Sequence, residues 1–178
     1  PEALAVSSWD GAMTYNQLGE TSRRLASYLV EQGVGPQTMV GLCLDKSKWA
    51  IVGMLAVLFA GGAVVPLGVK HPVSRIRSII QDTTAPIVIV DDIHEKRLAA
   101  ITAHTQLLSV ESFFQTSPPV SLQSGKSTAR PEDPAWIIYT SGSSGVPKAV
   151  VPQHNALATS ILALVPAIGI QPFDRLSQ

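Results

Sequence analysis

Four short aliphatic runs, separated by stretches of helical period, constrain this chain most. The runs are "TMVGLCLD", "AVVPL", "APIVIVDD" and "QLLSV". Between the first two lies "KWAIVGMLAVLFA", apolar nearly all round and therefore a buried helix of about three turns. The second gap holds "PVSRIRSIIQD", a polar-faced helix with Pro72 at its first position. The third holds "IHEKRLAAITA", a short amphipathic helix. This alternation predicts βαβ units: an α/β fold with a largely parallel sheet flanked by helices. The apolar content of 46% and mean hydropathy of +0.24 agree, because strands of such a sheet are buried on both faces.

Before the first run, "LAVSSWDGAMTY" reads as two short strands around Asp10-Gly11, a hairpin signal. "TYNQ" offers a capping box, with Thr14 as N-cap and Gln17 three residues on. The helix it opens carries Leu18, Leu25 and Leu29 on one stripe, with Ser22 between them and Gly33 as its stop. Ser47 is placed to cap the second helix, and Gly61-Gly62 to end it. Pro66 stands near the end of its strand. From Gln115 to Pro134 the chain is polar and holds four of the 13 prolines, a surface connection. A strand "AWIIYT", a small-residue loop, a short strand "AVV" and a helix from about His154 or Asn155 to Ala167 complete the chain. A length of 178 residues fits one domain.

Charge excludes some functions. With 13 basic and 13 acidic residues, nothing points to nucleic acid or an anionic membrane. The longest apolar run is broken by Gly61-Gly62 and ends at Pro66-Leu67, so it predicts a buried helix and strand rather than a membrane span. Cys43 is the one cysteine, a small buried hydrophobe with no internal disulfide partner, which fits a reducing, cytoplasmic setting. His71, His94, His104 and His154 share no metal-ligand spacing, and no metal is expected on them. Asp91-Asp92 reads as a solvated strand end. No Ser/His/Asp triad is readable around Ser141 to Ser144.

The chemistry lies in "WIIYTSGSSGVPKAVVPQH". A strand ends at Thr140 and runs into small residues. Gly142 and Gly145 free the backbone and let a ligand approach it. Successive N–H groups in such a loop form an anion-attracting nest. Thr140, Ser141, Ser143 and Ser144 add hydroxyl donors, and Lys148 adds a mobile positive charge. Together they make a phosphate cradle. It is not the Walker A loop, because Pro147 precedes the lysine and Ala149, without a magnesium-binding hydroxyl, follows it.

"YTSGSSGVPKAV" resembles the phosphate-binding signature of adenylate-forming enzymes, which include acyl-CoA synthetases, luciferases and the adenylation domains of nonribosomal peptide synthetases. "MTYNQL" and "LFAGGAVVPLGVKHPVSRI" resemble the first two motifs of the adenylation domains, in the right order and spacing. "HNALATSI" is similar to fungal synthetases. The resemblance covers essentially the whole chain. It implies the front part of the large N-terminal subdomain of an amino-acid-activating domain in secondary-metabolite synthesis. In that family a carboxylate attacks the α-phosphate of ATP, with Mg2+, to give an acyl-adenylate and pyrophosphate. The acyl group then passes to the phosphopantetheine thiol of a carrier-protein domain. By resemblance, Thr140, Ser141, Gly142, Ser143, Ser144, Gly145 and Lys148 hold the departing phosphates, where donors and a cation stabilise the charge that gathers.

The sequence departs from the family at Ala149, where glycine is usual, at Gly68-Val69, where Asp-Pro is usual, and at Gln17, where Glu is usual. The chain begins at Pro1 and reaches "FDRLSQ", the approach to the next motif, at Gln178. The expectation is therefore a piece of an adenylation domain. The substrate-binding aspartate, the hinge and the catalytic lysine of the family lie elsewhere; Lys148 is not that lysine. Such a piece is expected to be inactive alone and to self-associate through apolar surface. Alternatives are a fragment of an acyl-CoA synthetase or aryl-acid ligase, and a non-catalytic nucleotide-binding or interaction module.

Overall fold

A computed structural model of the chain describes residues 1–101, 104–117, 129–140, 148–171 and 174–176. It opens with β1 (Leu4–Ser8) and β2 (Gly11–Thr14), an antiparallel hairpin joined by Trp9-Asp10, one residue earlier than the expected Asp10-Gly11; Gly11 pairs with Ser8 and takes φ +127° just after the turn. The left-handed region is open to glycine at little cost, so the turn needs it. Helix α1 (Tyr15–Glu31) follows with its capping box formed: the Gln17 amide donates to Thr14 Oγ1, and the Thr14 amide donates to Gln17 Oε1. It buries Leu18, Ser22, Leu25 and Leu29 and stops at Gln32, with Gly33 at φ +86° just beyond.

Then come β3 (Met39–Cys43), α2 (Lys48–Phe59), β4 (Ala63–Pro66), α3 (Val73–Thr83), β5 (Ile87–Val90), α4 (Asp92–Leu98), β6 (Gln106–Ser109) and α5 (Val110–Thr116). The four strands form one sheet in the order β4-β3-β5-β6, and every pairing is parallel. This is the predicted α/β architecture. Successive strand residues point to opposite faces, which splits the interior in two. Val40, Leu42, Val64, Ile87 and Ile89 join α1, α2 and α5 in one core. Cys43, Ala63, Val65, Val88 and Val90 join α3 and α4 in the other.

Some local expectations change. Ser47 is the N-cap of α2, but its side chain makes no capping bond. The Lys48 amide instead donates to Ser8 Oγ and Asp10 Oδ1, both at 3.1 Å, so the first hairpin caps α2 from outside. Pro72 is the N-cap of α3 rather than its first helical residue. Asp91 caps α4, and Asp92 lies inside that helix. Helix α5 occupies Gln115 and Thr116, so the polar connection starts at Ser117. Phe113 and Phe114 hold α5 down: Phe114 stacks on Trp49 at 5.1 Å, and Phe113 meets Tyr28 at 5.1 Å.

After the connection the chain returns to the sheet. Val64 of β4 forms a parallel bridge with Trp136, the Val64 amide donates to Ala135 O, and the Ile137 amide donates to Val64 O. The same segment continues into β7 (Ile138–Thr140), which pairs antiparallel with β8 (Lys148–Val150). Helix α6 (His154–Ala167) is the last helix or strand among the described residues. No described helix is long and apolar enough to cross a membrane.

Candidate functional site: a hairpin at the carboxyl edge of the sheet

Because the bridge from Val64 to Trp136 is parallel, residues 135–137 run the same way as β4. The chain therefore leaves the sheet at its carboxyl edge, where open parallel sheets bind ligands. Beyond that edge β7 and β8 form a short stem with Ile138 opposite Val150, Tyr139 opposite Ala149 and Thr140 opposite Lys148. The Thr140 hydroxyl donates to the Lys148 carbonyl at 3.3 Å. The stem thus brings together Thr140 and Lys148, which flank the motif in sequence. Both are exposed, and among the described residues nothing hydrogen-bonds or ion-pairs with the Lys148 ammonium. A cation with no partner among the described residues, at the mouth of a hairpin, is chemically suited to an anion. Ser141, Gly142, Ser143, Ser144 and Gly145 lie outside the described residues.

The stem is fastened below. The Ala135 amide donates to Pro152 O at 2.9 Å, and the His154 amide to Asp133 O at 3.2 Å. Asp133 is buried, and its carboxylate accepts from the Arg130 amide at 2.7 Å. Two further contacts tie the stem to α3: Tyr139 donates its hydroxyl to Asp82, and its ring packs on the second core. Burial first, then the bond to Asp82 and its charge, push the Tyr139 phenol up to about 12. His154 begins α6, and its Nε2 is buried without a hydrogen-bond partner among the described residues.

One grouping was not legible in the sequence. Asp45, Asp91 and His94 converge past the ends of β3 and β5, with ligand-type atoms within 4.8 Å of one another. Their separation along the chain hides this, and only the β3–β5 pairing reveals it. The His94 ring nitrogen sits 2.7 Å from both Asp91 oxygens, and Asp91 also accepts from the His94 amide at 2.8 Å. Capping α4 accounts for that arrangement. Cys43 is buried nearby with its thiol raised to about 11, chiefly by burial.

Comparison with known proteins agrees with the fold and with the family resemblance. The model of the AMP-binding enzyme family matches residues 1–176. Nonribosomal peptide synthetase 32 of Fusarium pseudograminearum is 85% identical over 100% of this chain, which spans 2% of that protein. Nonribosomal peptide synthetase vlms of a Lecanicillium species is 57% identical, again over 100% of this chain and 2% of the relative. Among solved structures, nonribosomal peptide synthetase FmoA3 in its alpha-methyl-L-serine-AMP bound form superposes with a TM-score of 0.88 at 29% identity, over 98% of this chain and 19% of FmoA3. ATP-bound MatB from Rhodopseudomonas palustris superposes with a TM-score of 0.85 at 27% identity, over 98% of this chain and 36% of MatB. With nearly its whole length matched, this chain belongs to the AMP-binding enzyme family and is similar throughout to fungal nonribosomal peptide synthetases.

Proposed function

We propose that the chain is the front part of an adenylation domain, that it contributes the ATP phosphate-binding loop, and that the whole domain activates an amino acid. The observation that carries this is the hairpin at the carboxyl edge, which closes "TSGSSGVPK" between Thr140 and Lys148. Thr140, Ser141, Gly142, Ser143, Ser144, Gly145 and Lys148 would hold the β- and γ-phosphates. Their backbone amides, hydroxyls and ammonium offset the charge that builds on departing pyrophosphate. ATP brings the phosphoanhydride whose cleavage drives activation, and Mg2+ shares its charge. FmoA3 bound to an aminoacyl adenylate supports an amino acid as substrate, and ATP-bound MatB supports the nucleotide. A carrier-protein phosphopantetheine thiol would receive the acyl group, in a cytoplasmic synthetase.

Residues 1–178 then act only within a longer chain. Helix α6 supports this, because it buries no residue although it is mostly apolar. The rest of the domain is its natural cover. Amino-acid-dependent exchange of labelled pyrophosphate into ATP tests the proposal. The longer chain should exchange with one amino acid or a few, and residues 1–178 alone should not. Activation of fatty or aryl acids and of no amino acid would favour the acyl-CoA synthetase or aryl-acid ligase reading. Exchange by residues 1–178 alone would overturn the proposed dependence on the rest of the domain.

A further inference from the structure

We propose that Tyr139 and Asp82 are positioning residues for the phosphate loop: the hydrogen bond between them anchors the hairpin arm that enters the loop to helix α3. This rests on the reading of residues 140–148 as the phosphate loop.

The stem is fastened at its base, where Pro152 O accepts from the Ala135 amide, but among the described residues little else holds it above that point. Strand β7 is three residues long, Ile138 is 44% exposed, and every residue of β8 is exposed. The backbone bonds to β4 end at Ile137, three residues before the loop mouth. Past that point the described contacts of the arm with the body are those of Tyr139, whose hydroxyl donates to Asp82 and whose ring packs on the core of α3. Tyr139 lies opposite Ala149 and directly precedes the Thr140–Lys148 pair that closes the loop. The anchor is therefore one residue from the groups that would meet phosphate. Asp82 lies on α3, which occupies the crossover between β4 and β5. A carboxylate accepting a phenol proton is a charge-assisted bond, stronger and shorter than a neutral one. The phenol keeps its proton across the physiological range, because its pKa stands at about 12. A short two-stranded ribbon is marginal by itself, so one such bond decides where its closing pair, Thr140 and Lys148, rests. Misplacing the tip weakens contacts to the phosphates without touching the amino-acid pocket.

The test uses the longer chain and the pyrophosphate exchange assay, with ATP and the cognate amino acid varied separately. Tyr139→Phe and Asp82→Ala should each raise the KM for ATP about tenfold, the size of one hydrogen bond to a charged group. The KM for the amino acid should stay within about twofold, and the melting temperature should not move with the KM for ATP. Asp82→Asn keeps an acceptor without the charge and should recover part of the lost ATP affinity. Combining Tyr139→Phe with Asp82→Ala should cost no more than either alone, as for two halves of one contact. An unchanged KM for ATP in both single variants, or equal rises for ATP and amino acid, would overturn the inference while exchange by the unaltered chain leaves the adenylation reading standing. No exchange by the unaltered chain with any amino acid would remove that reading, and this inference with it.

Discussion

Helices α2 and α6 are built from similar material. Both are dominated by Ala, Leu, Val and Ile, and neither has a clear polar face. Helix α2 lies between α1 and the sheet and buries Val52, Gly53, Ala56 and Val57. At Gly53 an added Cβ would stand 2.7 Å from Leu42 Cδ1, so the Leu42 side chain packs directly on the helix backbone there. Helix α6 has no such neighbour among the described residues: Leu162 is 75% exposed and Ile161 58% exposed. An apolar helix states a demand for burial, and only a partner meets it. The partner of α2 is within these residues; that of α6, on the proposed reading, is the remainder of the adenylation domain.

Truncating one leucine on each side tests this contrast. Leu25, fully buried in the core that α1 shares with α2, should cost about 2–5 kcal/mol when changed to alanine. Leu162→Ala in residues 1–178 should change denaturant stability by no more than about 0.5 kcal/mol. In the longer chain Leu162→Ala should become costly, and equal costs in both settings would dissolve the comparison.

The packed side can also be probed by addition. A Cβ at Gly41 would lie 2.8 Å from Val88 Cγ2 and 3.0 Å from Leu67 Cδ1. Valine is stiff at χ1 and Val88 is fully buried, so Gly41→Ala should lose about 1–3 kcal/mol in urea unfolding. A stability gain would mean that the interior of the sheet is looser than its contacts suggest.

A smaller effect comes from Cys43. Burial raises its thiol from 9.0 to about 11, so the fold favours the protonated form. The sign follows from linkage: this contribution is complete below pH 9 and is lost as the pH rises toward 11. Thermal melts should show the unaltered chain losing more stability across that window than Cys43→Ala loses. Tyr139, raised to about 12, titrates higher and is present in both chains. Parallel curves would place Cys43 in a wetter site.

Much of this was legible in the sequence because the relevant physics is local. The hairpin around Asp10, the Thr14–Gln17 capping box, the buried strands and the strand–helix alternation each depend on neighbours within a few residues. The misreadings share a cause. Ser47 looked like a sufficient cap, but Ser8 and Asp10 from a distant hairpin do the capping. Helix α5 is not legible in the sequence, where Val110 reads as strand, Gln115 and Thr116 read as connection and the residues between carry no assignment, because it is only seven residues long. Its stability comes from Phe113 and Phe114 meeting Tyr28 and Trp49, contacts that no local pattern displays. The site divides the same way. Thr140 and Lys148 were recognisable from the motif, whereas their pairing, and the bond from Tyr139 to Asp82, 57 positions apart, needed the fold.

The central claim is that the hairpin at the carboxyl edge holds the phosphates of ATP. The most direct measurement is amino-acid-dependent pyrophosphate exchange by the longer chain carrying Lys148→Ala, across a range of ATP concentrations. Removing a charged donor should raise the KM for ATP by about tenfold or more, with the amino-acid KM little changed. Lys148→Arg, which keeps the charge, should retain part of the loss. Exchange by Lys148→Ala with an unaltered KM for ATP and an unaltered rate would contradict the account.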